Sequence, residues 1–289
     1  MGLFLALVTY FGWGTGDIFG VIATRKIGAY KATFFIYLFG FLVASLYVPF
    51  ALPEFSKITF GLFLINFFLG STYLIGNFLI NEAFKSSSPS LVGIIVQSFP
   101  AIVLILSALI FKDPVTVRQM LWIVIVFIGM FLCTINISDF TKGKIVLDKG
   151  IKYALIAAGI FSIGFTFMRV FIDVYGWFWP NYIAFASFPF AILVIKYLFK
   201  IKEKIVFPKN KSVVFAVLLS ALLLRAGDIA LNAGISSGYA SVVAPIAGAS
   251  PTLFVAISSI LFKDPISTQQ KFGIFVSLLG IILLSFFSG

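Results

Sequence analysis

The sequence predicts an all-α integral membrane protein, and three observations lead to that fold class. Hydrophobic residues make up 61% of the 289 positions and charged residues only 11%, with a mean hydropathy of +1.13. The apolar residues form runs of about 20, the length of helix that crosses a bilayer core. These runs lack the alternation of barrel strands, so helices are favoured because a helix satisfies its own backbone hydrogen bonds in lipid.

Ten such runs are predicted to be transmembrane helices. In chain order they cover residues 3–24, 32–52, 59–81, 89–111, 118–137, 151–172, 178–199, 213–235, 240–262 and 271–287. The first run is interpreted as a retained helix and not as a secretory signal, because it lacks a basic leader and contains Trp13 and Asp17.

An internal repeat relates the two halves of the chain. The tetrapeptide Phe-Lys-Asp-Pro occurs at 111–114 and again at 262–265, 151 residues later. The same shift pairs further residues: Gly76 with Gly227, Asn81 with Asn232, Ser90 with Ser241, Pro100 with Pro251, Gln119 with Gln270 and Gly129 with Gly280. A shift of 148 aligns the first and sixth runs and pairs Gly28 with Gly176.

The repeat predicts two five-helix units of opposite orientation. We place the first repeat at 1–138, a basic connecting loop at 139–150 and the second repeat at 151–289. Five is an odd number, so the second unit must enter the membrane in the opposite sense. Inverted repeats are a common construction of secondary transporters, whose halves exchange inward-open and outward-open shapes around a site near the midplane. The pattern therefore favours a transporter.

Together these motifs resemble the drug/metabolite transporter superfamily, in particular its ten-helix EamA-type members. The resemblance covers essentially the whole chain and is carried by the segment 12–14 (Gly-Trp-Gly), the two Phe-Lys-Asp-Pro junctions, Gly129 and Gly280. It implies a central cavity enclosed by helices one to four and six to nine, with the fifth and tenth at the periphery. It also implies a small organic solute as substrate, such as an amino acid, a sugar, a nucleotide derivative or a drug.

Basic residues predict the orientation in the membrane. Alternating sides along the ten spans puts most of the 21 basic residues on one side and leaves Lys57, Lys112 and Arg118 on the other. The positive-inside rule then makes both termini non-cytoplasmic, in what we take to be the plasma (inner) membrane. The +11 charge does not indicate nucleic-acid binding, because the lysines separate apolar spans and form no patch. The stretch 200–211 is interpreted as a basic anchor, with contact to anionic lipid left open.

Polar side chains inside the spans are candidate substrate-binding residues. Asn66, Gly70, Tyr73, Asn77 and Asn81 follow helical spacing and share one face of the third span. Such a face should point to the bundle interior or to a water-filled cavity, although hydrogen bonding between helices would also explain it. Across the repeat Asn77 aligns with Asp228 and Asn81 with Asn232, so we predict that both positions contribute to the cavity.

The ionisable residues most clearly inside spans are Asp17, Arg225 and Asp228, and Trp13 lies one turn from Asp17. Intramembrane charges are functional candidates by default. Arg225 and Asp228 can pair at i, i+3 on the eighth span. We predict that Arg225 holds an anionic or polar substrate group, and that Asp17 or Asp228 senses protonation or a coupling cation. The alternatives are a pair that only closes a gap between helices, and packing for Trp13.

Two prolines fall at the predicted midpoints of the fourth and ninth spans. Pro100 and Pro251 should kink these helices and free backbone carbonyls. They are candidates for lining the pathway, and tolerated packing kinks are an equally good explanation.

No pattern in the sequence indicates catalysis, a cofactor or a metal. There is no histidine, a single cysteine (Cys133), no Walker A motif and no nucleophile elbow. We therefore predict a non-enzymatic secondary transporter of a small organic metabolite that works by alternating access. A membrane-embedded enzyme acting on lipid, or a channel or structural membrane protein, remains the alternative.

Overall fold

The computed structural model describes residues 1–112, 115–134, 148–237, 246–247, 249–263 and 266–287. Most of the predicted basic loop at 139–150 and the Asp-Pro halves of both tetrapeptides lie outside these residues.

All regular structure in the described ranges is α-helical, as the composition predicted. We number the helices in chain order: α1 Gly2–Ile27, α2 Ala29–Ser45, α3 Val48–Phe55, α4 Phe60–Ser86, α5 Pro89–Val96, α6 Phe99–Phe111, α7 Val117–Thr134, α8 Lys149–Tyr175, α9 Phe178–Ala186, α10 Phe188–Leu198, α11 Lys211–Ser236, α12 Ser250–Phe262 and α13 Thr268–Phe286.

Five helical segments are long and apolar enough to cross a membrane: α1, α4, α5 with α6, α8 and α11. Two bent pairs raise the number to seven: α2 and α3 meet at 76°, and α9 and α10 at 43°. The sequence predicted both pairs as single uninterrupted spans, so these two bends are new. Among the described residues α7, α12 and α13 are apolar but shorter, and 13 residues of α12 extend only about 20 Å. The ten-helix inverted repeat thus stays a prediction.

Equivalent positions of the two predicted repeats adopt the same local conformations. Gly28 and Gly176 follow α1 and α8 with positive φ angles of 84° and 79°, which glycine adopts without a Cβ penalty. Helices α6 and α12 each have 13 residues and end at a left-handed lysine, Lys112 (φ 61°) and Lys263 (φ 50°). The repeated Phe-Lys junction therefore encodes a helix end.

The next helix of each repeat begins with the same cap. The side chains of Thr116 and Gln119 exchange hydrogen bonds with each other's backbone N–H groups before α7. Ser267 and Gln270 do the same before α13. Such a box satisfies backbone donors that the first helical turn leaves free.

Packing between the halves is reciprocal, because α1 lies against α11 while α4 lies against α8. A Cβ added to Gly227 would lie 2.7 Å from Cδ1 of Trp13, and a Cβ added to Gly76 would lie 2.8 Å from Cε1 of Phe161. Gly76 and Gly227 are 151 residues apart, and Trp13 and Phe161 are 148 apart. Each half thus packs an aromatic ring of its first helix on a glycine of the other half.

One end of the bundle, which we call the basic end, gathers the lysine-rich helix termini. There Lys26 of α1 donates to Ser212 of α11 over 2.9 Å, and Lys31 pairs with Glu203 over 3.2 Å. The N-cap residue of α8, Asp148, accepts a hydrogen bond from Ser87. These contacts fix which helix ends lie together.

Candidate functional site

Two small cavities lie in the centre of the bundle, one on each side of a shared layer. Their volumes are about 40 and 50 Å³. The layer consists of the residues that line both: Trp13, Tyr73, Phe165 and Asp228. Helices α1, α4, α8 and α11 supply one residue each, so all four long crossing helices meet there.

The cavities extend towards opposite ends of the bundle. The distal cavity, away from the basic end, continues along α4 and α11 past Asn66 and Asn232. The basal cavity continues along α4 past Asn77 towards Phe84, whose carbonyl accepts a bond from Arg25 at the basic end. The layer therefore separates two cavities that lie towards opposite ends of the bundle.

A hydrogen bond and aromatic contacts hold the layer together. The indole Nε1 of Trp13 donates to Oδ1 of Asp228 over 2.9 Å. Phe165 meets Trp13 and Tyr73 edge to face, with centroid separations of 6.5 and 6.0 Å. This bond connects α1 of the first half to α11 of the second.

A buried ion pair lies beside the layer. Nη1 of Arg225 is 3.2 Å from Oδ2 of Asp228, and the two side chains are 4% and 11% exposed. The guanidinium carbon lies 4.0 Å from the ring centroid of Phe185 and 5.1 Å from that of Tyr37. Tyr37 belongs to α2 and Phe185 to α9, so both halves of the chain contribute to enclosing the guanidinium.

The ion pair keeps unused hydrogen-bonding capacity. Among the described residues, Nε and Nη1 of Arg225 and Oδ2 of Asp228 are buried without a hydrogen bond, since the 3.2 Å contact lacks hydrogen-bond geometry. Such groups are costly to bury unless a ligand or water satisfies them. The pair can therefore bind a polar group that enters the basal cavity.

Asp17 supplies a second carboxylate to the basal cavity, which Arg225 and Asp228 also line. In the described part of the chain Asp17 has no hydrogen bond or ion pair. One guanidinium thus faces two carboxylates, and a proton or a bound cation would balance the excess negative charge.

The predicted polar stripe on α4 divides between two environments. Asn66 and Tyr73 line the distal cavity, while Tyr73 and Asn77 line the basal one. Asn81 lines neither cavity: it accepts from Thr24 over 2.9 Å and donates to Thr33 over 2.8 Å, which joins α4 to α1 and α2. Its repeat partner Asn232 does line the distal cavity and donates to the carbonyl of Trp177.

The prolines mark the first turns of short helices. The fourth predicted span is interrupted at Gln97 and Ser98, and Pro100 lies in the first turn of α6. Pro251 takes the same position in α12 and is buried. Ser98 and Ala249, two residues before the prolines, are turn residues with right-handed helical dihedral angles, so each proline stands where a new helix begins.

Several residues of the site were not predicted from the sequence. Phe165, Phe185 and Tyr37 surround the charged groups but belong to an 18% aromatic fraction that is too large to interpret individually. The 148-residue shift offered an indication for Phe165 alone, because it pairs Phe165 of the sixth run with Asp17 of the first. Within the described residues no three Cys, Asp or Glu side chains are grouped as metal ligands.

Comparisons with known proteins agree with this architecture. The sequence profile of the EamA-like transporter family matches residues 1–135 and 148–286. An uncharacterized protein of Methanocaldococcus jannaschii is 28% identical over 142 residues, which are 48% of this chain and 98% of that protein. A solved structure described as "Crystal structure of protein" superposes with a TM-score of 0.64 at 14% identity and covers 98% of this chain and 95% of its own. That likeness shows the fold alone.

Proposed function

The chain belongs to the EamA-like transporter family, a family of membrane transporters of small solutes, and on that premise we propose that it is a secondary transporter that moves a small organic metabolite by alternating access. The observation that carries the proposal is the layer of Trp13, Tyr73, Phe165 and Asp228 between two cavities that extend towards opposite ends of the bundle. A barrier with a cavity on each side fits a pathway that opens to one face at a time.

The reciprocal packing of the halves supports the inverted five-helix repeats at 1–138 and 151–289. Helix α1 lies on α11 as α8 lies on α4, so one half can replace the other in the contacts that close a cavity. The relative from M. jannaschii matches about half of this chain over nearly its whole length, which fits a duplicated unit.

We assign the charged residues to substrate binding and coupling. Arg225 binds an anionic or polar substrate group through guanidinium N–H groups that face the basal cavity. Asp17 or Asp228 takes up a proton or a coupling cation, because two carboxylates share the basal cavity with one guanidinium. Trp13, Tyr73, Asn77 and Asn232 shape the remaining walls. Asn81 takes part through the helix contacts that it fixes.

The orientation belongs to the same proposal. We place the basic end in the cytoplasm and both termini outside it, in the plasma (inner) membrane, because lysines gather at the helix ends there. Cysteines introduced near either terminus should react with an impermeant reagent in intact cells, and the buried Cys133 gives little background. Protection of both termini would reverse the orientation.

A solute screen tests the function. Binding to the folded state raises the melting temperature of purified protein, so candidate amino acids, sugars and related solutes can be ranked by thermal shift. The best candidates are then assayed for flux in proteoliposomes. Saturable flux of a stabilising solute is the expected result, and solute-independent leakage would contradict the proposal.

A further inference from the structure

A concave surface at the basic end combines lysines with exposed apolar side chains. It lies where α10 ends and the chain continues towards α11, and its volume is about 660 Å³. Lys196, Lys200 and Lys202 line it together with Leu193 and Tyr197. We call this surface the α10 groove.

The apolar side of the groove faces outward. Leu193 is 65% exposed and Tyr197 83% exposed, and both lie in α10, which belongs to a predicted membrane span. Exposed apolar and aromatic side chains at such a helix end are typical of the boundary between hydrocarbon and headgroups. In a membrane these two side chains therefore contact the acyl chains of lipids.

The charged side of the groove lacks counterions from the protein. Among the described residues none of its three lysines has an ion pair, and the neighbouring Glu203 is bound to Lys31 over 3.2 Å. Three unneutralised ammonium groups above an apolar surface are complementary to an anionic headgroup above its acyl chains.

The backbone places one of these lysines in a strained conformation. Lys200 has a φ of 51°, and the helix ends with bonds from the N–H of Ile201 to the carbonyl of Lys196 and from the N–H of Lys200 to that of Tyr197. This motif prefers glycine at the left-handed position. The sequence keeps a lysine there, which directs a third positive charge into the groove.

We propose that the α10 groove binds an anionic phospholipid, with the phosphate on Lys196, Lys200 and Lys202 and an acyl chain along Leu193 and Tyr197. Each lysine near an anionic headgroup contributes about fivefold in affinity, so the three together contribute on the order of a hundredfold. The site is separate from the central cavities and does not depend on the transported solute.

The first test uses protein purified in an uncharged detergent and titrated with phosphatidylglycerol or phosphatidylcholine. Bound lipid is counted by native mass spectrometry and stability is followed by thermal unfolding. We expect phosphatidylglycerol to bind and stabilise, and K196Q/K200Q/K202Q to weaken its binding by about a hundredfold. The control K152Q/K209Q/K271Q removes three exposed lysines outside the groove and should bind as the wild type does.

A second pair of variants separates binding from folding. Lys200→Gly relieves the left-handed strain, so it should melt higher than the wild type without lipid and yet bind phosphatidylglycerol about fivefold more weakly. Lys263→Gly relieves the same strain at the end of α12, outside the groove, and should leave lipid binding unchanged. Equal losses in the groove and control variants would overturn the site. Equal stabilisation by phosphatidylcholine or by inorganic phosphate would overturn the anionic lipid as its ligand.

Discussion

The indole of Trp13 and the carboxylate of Asp228, 215 residues apart in sequence, share a 2.9 Å hydrogen bond in the layer between the two central cavities. The bond joins α1 of the first half to α11 of the second, at the point where Gly227 lets the two helices approach closely. The proposed barrier is therefore built from residues of both halves of the chain.

Trp13→Phe tests that barrier, because it keeps an aromatic ring and removes the donor to Asp228. Hydrogen bonds to charged groups contribute about 1.5–3 kcal/mol, so we expect a flux at least tenfold below the wild type and a lower melting temperature. Trp122→Phe is the matched control. Its indole N–H in α7 is buried without a partner among the described residues and lies away from both cavities. Equal flux in the two variants would remove Trp13 from the pathway.

Arg225→Gln alone should lower the melting temperature more than the double variant Arg225→Gln with Asp228→Asn does. The single variant leaves Asp228 buried without its cation, and losing one member of a buried pair costs about 3–5 kcal/mol. Arg225→Gln with Asp228→Asn should recover part of the melting temperature but not the flux. A double variant that melts no higher than either single variant would show that the pair is not coupled.

Phe185→Leu tests the aromatic contact to Arg225. The ring centroid lies 4.0 Å from the guanidinium carbon, and a desolvated cation–π contact contributes up to about 2 kcal/mol. We expect solute affinity to fall by up to about thirtyfold. Tyr37→Phe keeps the second ring beside the guanidinium and removes only the hydroxyl, so it should lose less affinity than Phe185→Leu does. Equal affinities in both variants would exclude a positioning role for Phe185.

Asn77→Leu and Asn81→Leu should have different consequences although the residues are one turn apart. Asn81 links Thr24 and Thr33, so its loss should lower the melting temperature, at about 0.6 kcal/mol for each interhelical bond. In the described part of the chain the hydrogen bonds of Asn77 stay within its own helix, to Tyr73, and its side chain faces the basal cavity. Its replacement should therefore reduce flux with little loss of stability, and the reverse pattern would contradict these assignments.

The sequence predicted the features that follow from the lipid environment. It did not predict those that depend on how the helices pack. Long apolar runs predict the helices, and charges inside them identify Asp17, Arg225 and Asp228, because an intramembrane charge is rare. The bends after Ser45 and Ala186 were missed, although Pro49 and Pro189 stand in the first turn of the helix that follows each bend. Phe185 escaped because only tertiary contact distinguishes it from the other 36 phenylalanines.

The internal repeat indicates which positions share local backbone structure, which single residues do not. The two Phe-Lys junctions share their local structure at Lys112 and Lys263, where both helices end in the left-handed conformation. The repeat did not indicate that Asn81 and Asn232 have different surroundings: Asn81 bonds Thr24 and Thr33, whereas Asn232 bonds the carbonyl of Trp177. Equivalent positions thus share backbone geometry more closely than side-chain partners.

The most direct test of the central claim is solute accumulation in proteoliposomes with an imposed proton or sodium gradient, measured for the wild type, Asp17→Asn and Asp173→Asn. Asp17 faces the basal cavity, whereas Asp173 is exposed near the end of α8 and serves as the control. We expect saturable, gradient-driven accumulation by the wild type and the control, and solute exchange without accumulation by Asp17→Asn. Flux that rises linearly with solute concentration and is the same in all three proteins would contradict a coupled transporter.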